Sequence, residues 1–596
     1  MRRIAPGFLL VVAAVLATLV AAGALDTAET ASDLRVSWGP EPESLDPAVV
    51  TGVVESRYLY ALFEGLVTYA PDHNTPIPGV AAAIRRSPDG RVYTFPIRPE
   101  ARWSNGRPVT AEDFVWSWRR ILECRVKCDY VTMLFPLRGA QAYHQQCLAD
   151  VLLRGWRGMD ETERRDAAQT VLLPGARAPQ ADGLRALADP AVEPSPALRA
   201  LLLAAADAAA TRPPVRFEDV GVRILPDGAL EVTLEGAIPY MLDVFAFGTL
   251  MPVPREAVEA HGEDWIKPGR IVCNGPFVLE QWRPHYAIVL RRNPRYHGAS
   301  GVRLDRVLSR ILDSGATGLN YYERGMLDAV DRSVVPQDFI APLRDRPDFR
   351  PYTTFSCAFL RINTTRPPFD DPRIRRAFAM AIDKRAVAAV LQGGEQPTNR
   401  LVPPCPGYRD VQPDGLAFDP AAARRLLDAA WPDRETFPRV EFLMRNTPKQ
   451  KDLYNVLRDQ IERHLGVRID AKGQEWQIYL DSMNRGDYGL AYSNWSADYA
   501  DPATFVDLWV TGGGNNRTGW SDPEFDRWIR ESQTETDTAR RHALLARCER
   551  RVLEEACILI PLYLPVEYVM LKPKVRGFPQ ENLMDRFLLR YFRVER

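Results

Sequence analysis

Apolar residues in the second half of the chain fall into two alternating patterns. Short runs rich in β-branched and aromatic residues have the length and composition of strands: Phe359 to Ile362, Val440 to Met444, Val467 to Ala471 and Tyr488 to Trp495. Between them lie stripes at helical spacing. Ile374, Phe378 and Ile382 recur every four residues behind Asp371-Pro372, and proline suits the first helical position. Leu453, Val456, Leu457, Ile461 and Leu465 form a second stripe, stopped at Gly466. Glu475 to Met483 forms a third. From residue 353 onward this order predicts an α/β unit with a largely parallel sheet.

The first half is less regular. Leu34 to Trp38 reads as a strand, and Tyr58 to Leu66 as a helix with Leu59, Leu62 and Phe63 on one face. Ser87-Pro88-Asp89-Gly90 is a turn before the β-like run Val92 to Phe95. Pro226-Asp227-Gly228 is another turn, between Val222 to Leu225 and Leu230 to Leu234. Thr110 with Asp113 makes a capping box for a helix through Phe114, Val115 and Trp118. Residues 150–212 are rich in Ala, Arg, Leu and Asp and read as helical hairpins, Ala197 to Ala210 being a good helix former.

Composition narrows the class. The 596 residues are 46% hydrophobic and 26% charged, an ordinary globular balance. Lys plus Arg is 76 against 77 Asp plus Glu, so no global field steers nucleic acid to this chain, and no nucleic-acid partner is expected. Arg2 and Arg3, the apolar stretch Phe8 to Val20 and the small residues Ala22-Gly23-Ala24 form an export signal over 1–24. An uncleaved anchor over Gly7 to Leu25 is the competing reading; cleavage is favoured because Ala and Gly dominate the end of the run. The protein is therefore expected outside the cytoplasm. Its eight cysteines permit disulfides there, and one pair among Cys124, Cys128 and Cys147 is expected.

No catalytic signature is present: no G-x-S-x-G, no H-E-x-x-H, no phosphate-binding loop. The seven histidines are scattered, none at metal spacing, and no metal or cofactor is expected. The most informative segment is Asn494-Trp495-Ser496-Ala497-Asp498-Tyr499-Ala500-Asp501-Pro502. It follows a predicted strand directly, and open α/β sheets bind ligands outside the carboxyl ends of their strands. A carboxylate there can hold an ammonium through a charge-assisted hydrogen bond. The plainer reading makes Asp501 a helix cap and Trp495 a core residue. An enzyme using Asp498 and Asp501 as paired carboxylates would need a second acid across a cleft, and nothing in the sequence places one there.

Five blocks, running in order from about residue 34 to the C-terminus, resemble the family 5 extracellular solute-binding proteins, receptors of peptide-type ABC importers. They are Glu43-Ser44-Leu45-Asp46-Pro47 with Leu62 to Leu66; Trp103-Ser104-Asn105-Gly106 through Thr110 to Phe114; Asn274-Gly275-Pro276-Phe277 with Arg291 to Pro294; Asn363 to Pro368 with Asp371 to Arg375 and Ala381-Ile382-Asp383; and Glu475-Trp476 with Trp495 to Tyr499. The resemblance implies a bilobal α/β periplasmic-binding-protein fold of the peptide-binding type. An additional domain is built on the first lobe, and the ligand lies in the cleft between lobes. The expected division is 32–75, 215–352 and 565–596 for the first lobe, 76–214 for the additional domain and 353–564 for the second lobe.

By the same resemblance, Asp498 holds a peptide's α-ammonium, with Asn494 on the same segment. Trp495 and Trp476 stand near the first side-chain pockets, and Gly52 and Val53 lie along the peptide backbone from the other lobe. Tyr130 and Tyr563 are pocket walls. Tyr492 stands where oligopeptide receptors can carry an arginine near the peptide's far end, and Lys451 falls near another position used for the far carboxylate. The expected function is capture of an oligopeptide by a monomeric, non-enzymatic receptor that delivers it to a membrane permease. The alternatives are another amine-bearing solute, such as a dipeptide, opine, sugar or chelate, and a non-transport peptide sensor.

Overall fold

Two mixed sheets stand at the centres of two lobes. The computed structural model describes residues 32–172, 175–312, 314–336, 339–405 and 407–595; the expected export signal lies outside the described residues. In the first lobe, seven strands run in the order Phe349–Thr353, Val566–Leu571, Ala329–Asp331, Leu34–Ser37, Arg306–Arg310, Ala287–Arg292 and Phe277–Arg283. Leu34–Ser37 is the strand with parallel neighbours on both sides, and its Leu34 and Val36 are fully buried.

The first helix runs Val53–Leu62, five residues earlier than its apolar stripe predicts. Asn274 is the reason. Its side chain accepts from Glu64 N at 3.1 Å and donates to Glu64 O at 2.8 Å, holding that backbone out of the helix before the strand Val67–Tyr69. The capping box forms as expected: Thr110 and Asp113 close the start of Ala111–Leu122.

A four-stranded sheet joins Arg85–Arg86, Val92–Phe95, Leu230–Thr233 and Val222–Ile224. Its strands come from both sides of residue 214, so the expected break there falls inside this sheet. Tyr93, Phe95, Leu230 and Val232 share one core with the first lobe. By contrast, the Ala/Arg-rich stretch packs a separate core of Ala149, Trp156, Leu184, Leu202 and Ala206, with helices Ala140–Gly155, Ala181–Leu187 and Pro196–Ala210. Trp156 donates its indole N–H to the buried Glu193 at 3.3 Å, and Arg164 neutralises that acid at 3.2 Å.

The second lobe has six strands in the order Gln396–Pro397, Leu559–Leu564, Ser356–Ile362, Leu490–Ser496, Val440–Arg445 and Ile469–Gln474. The largely parallel sheet expected from the alternation is found only in the last three strands, where helices Pro448–Leu465 and Trp476–Arg485 make the crossovers. Ser356–Ile362 is antiparallel to both neighbours. The geometry requires this: Ser356 leads the chain away from the first lobe, and Leu564 leads it back. Thr354-Phe355 and Pro565 are thus the short links between the two sheets, the arrangement of a hinge.

All eight cysteines are free thiols, so the expected bridge near Cys124 is absent; Cys124 Sγ lies 3.6 Å from His144 Nδ1 instead. Among the described residues no helix is long and apolar enough to cross a membrane.

Candidate ligand cleft

Two adjoining cavities, about 470 and 300 Å³, lie between the lobes. Arg332, Ser356, Ser496, Glu567 and Tyr568 line both, so they form one trough over the hinge. Its floor is the carboxyl end of the Leu490–Ser496 strand. Side chains alternate along a strand, so Tyr492, Asn494 and Ser496 face the larger cavity. Tyr563, two strands away across Ser356–Ile362, completes that floor, and its hydroxyl bonds that of Tyr492 at 2.7 Å. Trp495 points to the opposite face, half-buried, with its indole N–H 3.3 Å from Thr504 Oγ1.

The Leu490–Ser496 strand pairs along its whole length with Ser356–Ile362. Its other edge pairs with Val440–Arg445 only at Leu490 and Ala491. From Tyr492 to Ser496 that edge carries no strand among the described residues. An open edge beside a cavity can accept an extended chain.

The first lobe closes the trough from above. Gly52 caps helix Val53–Leu62, and a side chain at Gly52 would collide with Glu55 Oε2. Val53 is 51% exposed and lines the smaller cavity. Below it, Arg57 is held by Asp331 and by Asp585 at 3.0 Å, and Arg332 pairs with Glu567 at 2.7 Å. Tyr240 of the first lobe stacks on Tyr499 of the second, ring centroids 3.9 Å apart and 5° from parallel.

Asp498 follows the lining residue Ala497. Among the described residues it accepts one hydrogen bond, from the Tyr130 hydroxyl at 3.4 Å, and Tyr130 packs edge-on against Phe247. Burial lifts the Asp498 carboxyl to a pKa of about 6. No cation pairs with it among the described residues, whereas the other acids of the cleft are matched: Glu395 by Lys449, Glu567 by Arg332, Asp331 and Asp585 by Arg57. Asp501, three residues on, is structural. Arg541 grips it through both oxygens at 2.7 and 2.8 Å, and it caps Ala503 N. The two aspartates are therefore not an acid–base pair.

The remaining candidates lie at the margin. Trp476 is 46% exposed, stacks on Tyr479 and carries the Arg445 guanidinium 4.9 Å above its ring; Arg445 itself lines the larger cavity. Lys451 is exposed and outside the lining. Lys449 stands there instead, two residues nearer the Thr447 cap. Arg332, Glu395, Arg445, Glu567 and Tyr568 also line the trough without having been singled out from sequence. Only Arg445 and Lys449 carried a usable signal, as charged residues flanking the carboxyl end of a predicted strand.

Residues 75–517 match the model of bacterial extracellular solute-binding proteins, family 5. The chain belongs to this family. The periplasmic oligopeptide-binding protein OppA of Escherichia coli is 27% identical over 591 residues, covering 97% of this chain and 96% of that protein. The probable deoxycholate-binding periplasmic protein YgiS of the same organism is 28% identical over 91% of this chain and 90% of that protein. Among solved structures, the periplasmic oligopeptide-binding protein OppAIV of Borrelia burgdorferi superposes with a TM-score of 0.72 at 25% identity, covering 94% of this chain and 99% of that one. Haemophilus influenzae OppA in complex with the peptide RPPGFSPFR superposes with a TM-score of 0.70 at 23% identity, with the same coverage. The two lobes and the cleft described above are the fold these structures share.

Proposed function

We propose that this protein is an exported receptor that encloses oligopeptides between its lobes and delivers them to the permease of an ABC importer. One arrangement carries the reading: a half-buried carboxylate with no cation among the described residues, Asp498, directly follows the trough-lining Ala497 and the strand edge Tyr492 to Ser496, which carries no partner strand there. A peptide's α-ammonium supplies the missing cation, and its backbone supplies the missing strand. The relatives named for oligopeptide binding support the same reading.

The mechanism is capture rather than chemistry. Ligand touching both lobes selects the closed form, with the links at Thr354-Phe355 and Pro565 absorbing the motion. Asp498 and Asn494 come from the second lobe, Val53 and Arg332 from the first, so a peptide lying over Ser496 bridges them. Removal of the export signal leaves a soluble periplasmic monomer. We place the second lobe at 353–564 as expected from sequence and extend the additional domain to Thr233, where its sheet ends, so that the first lobe resumes after it.

The test is titration calorimetry of the signal-free protein with free-amine tri- to nonapeptides, with deoxycholate and with simple sugars. Micromolar or tighter binding of peptides alone supports the reading. Binding of deoxycholate in preference to every peptide overturns it.

A further inference from the structure

Two residues that line the larger cavity each bury a polar atom with no hydrogen-bond partner among the described residues. The Glu395 side chain is 4% exposed. Its Oε1 accepts from Lys449 Nζ at 2.8 Å, while Oε2 is buried without a hydrogen-bond partner. The Tyr568 hydroxyl, on the strand that leaves the hinge, is likewise buried and unpartnered. Both residues line the cavity, and the charge of Glu395 reaches the Tyr568 hydroxyl. Buried polar atoms in native proteins are nearly always paired, so an orphaned carboxylate oxygen and an orphaned phenol lining one cavity ask for a donor that the described residues do not provide.

The surroundings limit what that donor is. Glu567, the cavity's other acid, is engaged by Arg332. The hydroxyls of Tyr492 and Tyr563 are engaged with each other, and Lys449 already lies over the Tyr563 ring at 5.7 Å. An apolar group would leave the Glu395 oxygen unpaired, and an anion would be repelled by it. A group with several N–H donors and a positive charge satisfies both atoms, because an ionised carboxylate offers about four lone-pair sites and Lys449 occupies one.

We propose that Glu395, with Tyr568, selects a cationic side chain on the bound peptide: a lysine, an arginine or a diamino acid, at a residue beyond the one whose amine meets Asp498. This rests on the reading of the cleft as a peptide site and adds a side-chain preference to it. Selection works by penalty as well as attraction, since peptides without the cation bury Glu395 Oε2 still unpaired.

The experiment uses free-amine hexapeptides on an alanine background, with lysine or its uncharged isostere norleucine placed at each position in turn. Calorimetry is run on the wild type and on Glu395→Gln. The expected result is one interior position at which lysine binds at least tenfold tighter than norleucine, with that ratio falling below threefold in Glu395→Gln. Tyr568→Phe, which removes a single oxygen, lowers the same ratio and serves if Glu395→Gln does not fold. A lysine-to-norleucine ratio near one at every position of the wild type overturns the selector while leaving the peptide reading in place. So does a ratio that survives Glu395→Gln. Failure of every hexapeptide to bind overturns both.

Discussion

Replacing Asp498 by asparagine removes a charge and keeps a shape. Among the described residues the carboxylate has one donor, Tyr130 at 3.4 Å, and burial lifts its pKa to about 6. Truncating one partner of a desolvated charge pair costs about 2–5 kcal/mol. Asp498 is only partly buried by surface area, so solvent screening places the expected loss at the lower end, about 2–3 kcal/mol or roughly 30- to 150-fold in Kd. A cycle isolates the pair. Calorimetry compares a free-amine peptide with its N-acetylated form, on wild type and on Asp498→Asn. Acetylation should cost the wild type that full factor and cost the variant less than about threefold, the scale on which uncoupled effects add. Equal losses on both proteins, or an unchanged affinity of Asp498→Asn for the free amine, would refute the assignment.

The remaining expectations concern acid, the core and closure. Only the ionised Asp498 attracts an ammonium, so its protonation competes with ligand. Affinity falls about tenfold between pH 7 and pH 5, given a pKa of about 6, and falls again above about pH 8 as the peptide's α-ammonium loses its proton. Asp243, at about 6, and Asp507, at about 7, titrate in the same range. The informative quantity is therefore the difference from Asp498→Asn, and parallel pH profiles for the two proteins would contradict the account. Arg541→Ala leaves Asp501 buried and unpaired, a loss of about 3–5 kcal/mol; urea unfolding followed by tryptophan fluorescence should show a lowered midpoint, and an unchanged one rejects the structural role given to this pair. Tyr240→Ala removes the stack on Tyr499, worth about 0.5–1.5 kcal/mol. Peptide affinity should weaken about two- to tenfold, with small-angle scattering showing less compaction on ligand addition; full compaction at wild-type affinity would show that the stack does not hold the closed form.

Much of the second lobe was legible because local signals coincide there. Asp371 with Pro372 starts its helix and Gly466 at φ +68° ends another, as their residue types require. What periodicity could not show is direction. Ser356–Ile362 is a continuous buried run whether its neighbours are parallel or antiparallel, and only the two passages through the hinge decide. The first helix was misplaced because Asn274, more than two hundred residues away, holds Glu64. In the cleft, Asp498 stood out because it follows a strand directly. Arg332, Glu395 and Glu567 did not, because their roles depend on which lobe faces which. Lys449 and Lys451 are indistinguishable in sequence; their places on the first turn of one helix put the former in the trough and the latter in solvent.

The central claim, that the cleft carries peptides, is tested most directly by native mass spectrometry of the gently purified, signal-free protein. The account predicts a ladder of co-purified peptide masses that is lost on unfolding and absent from Asp498→Asn. A bare protein mass that stays bare after incubation with free-amine peptides, or a single defined non-peptide adduct, would contradict it.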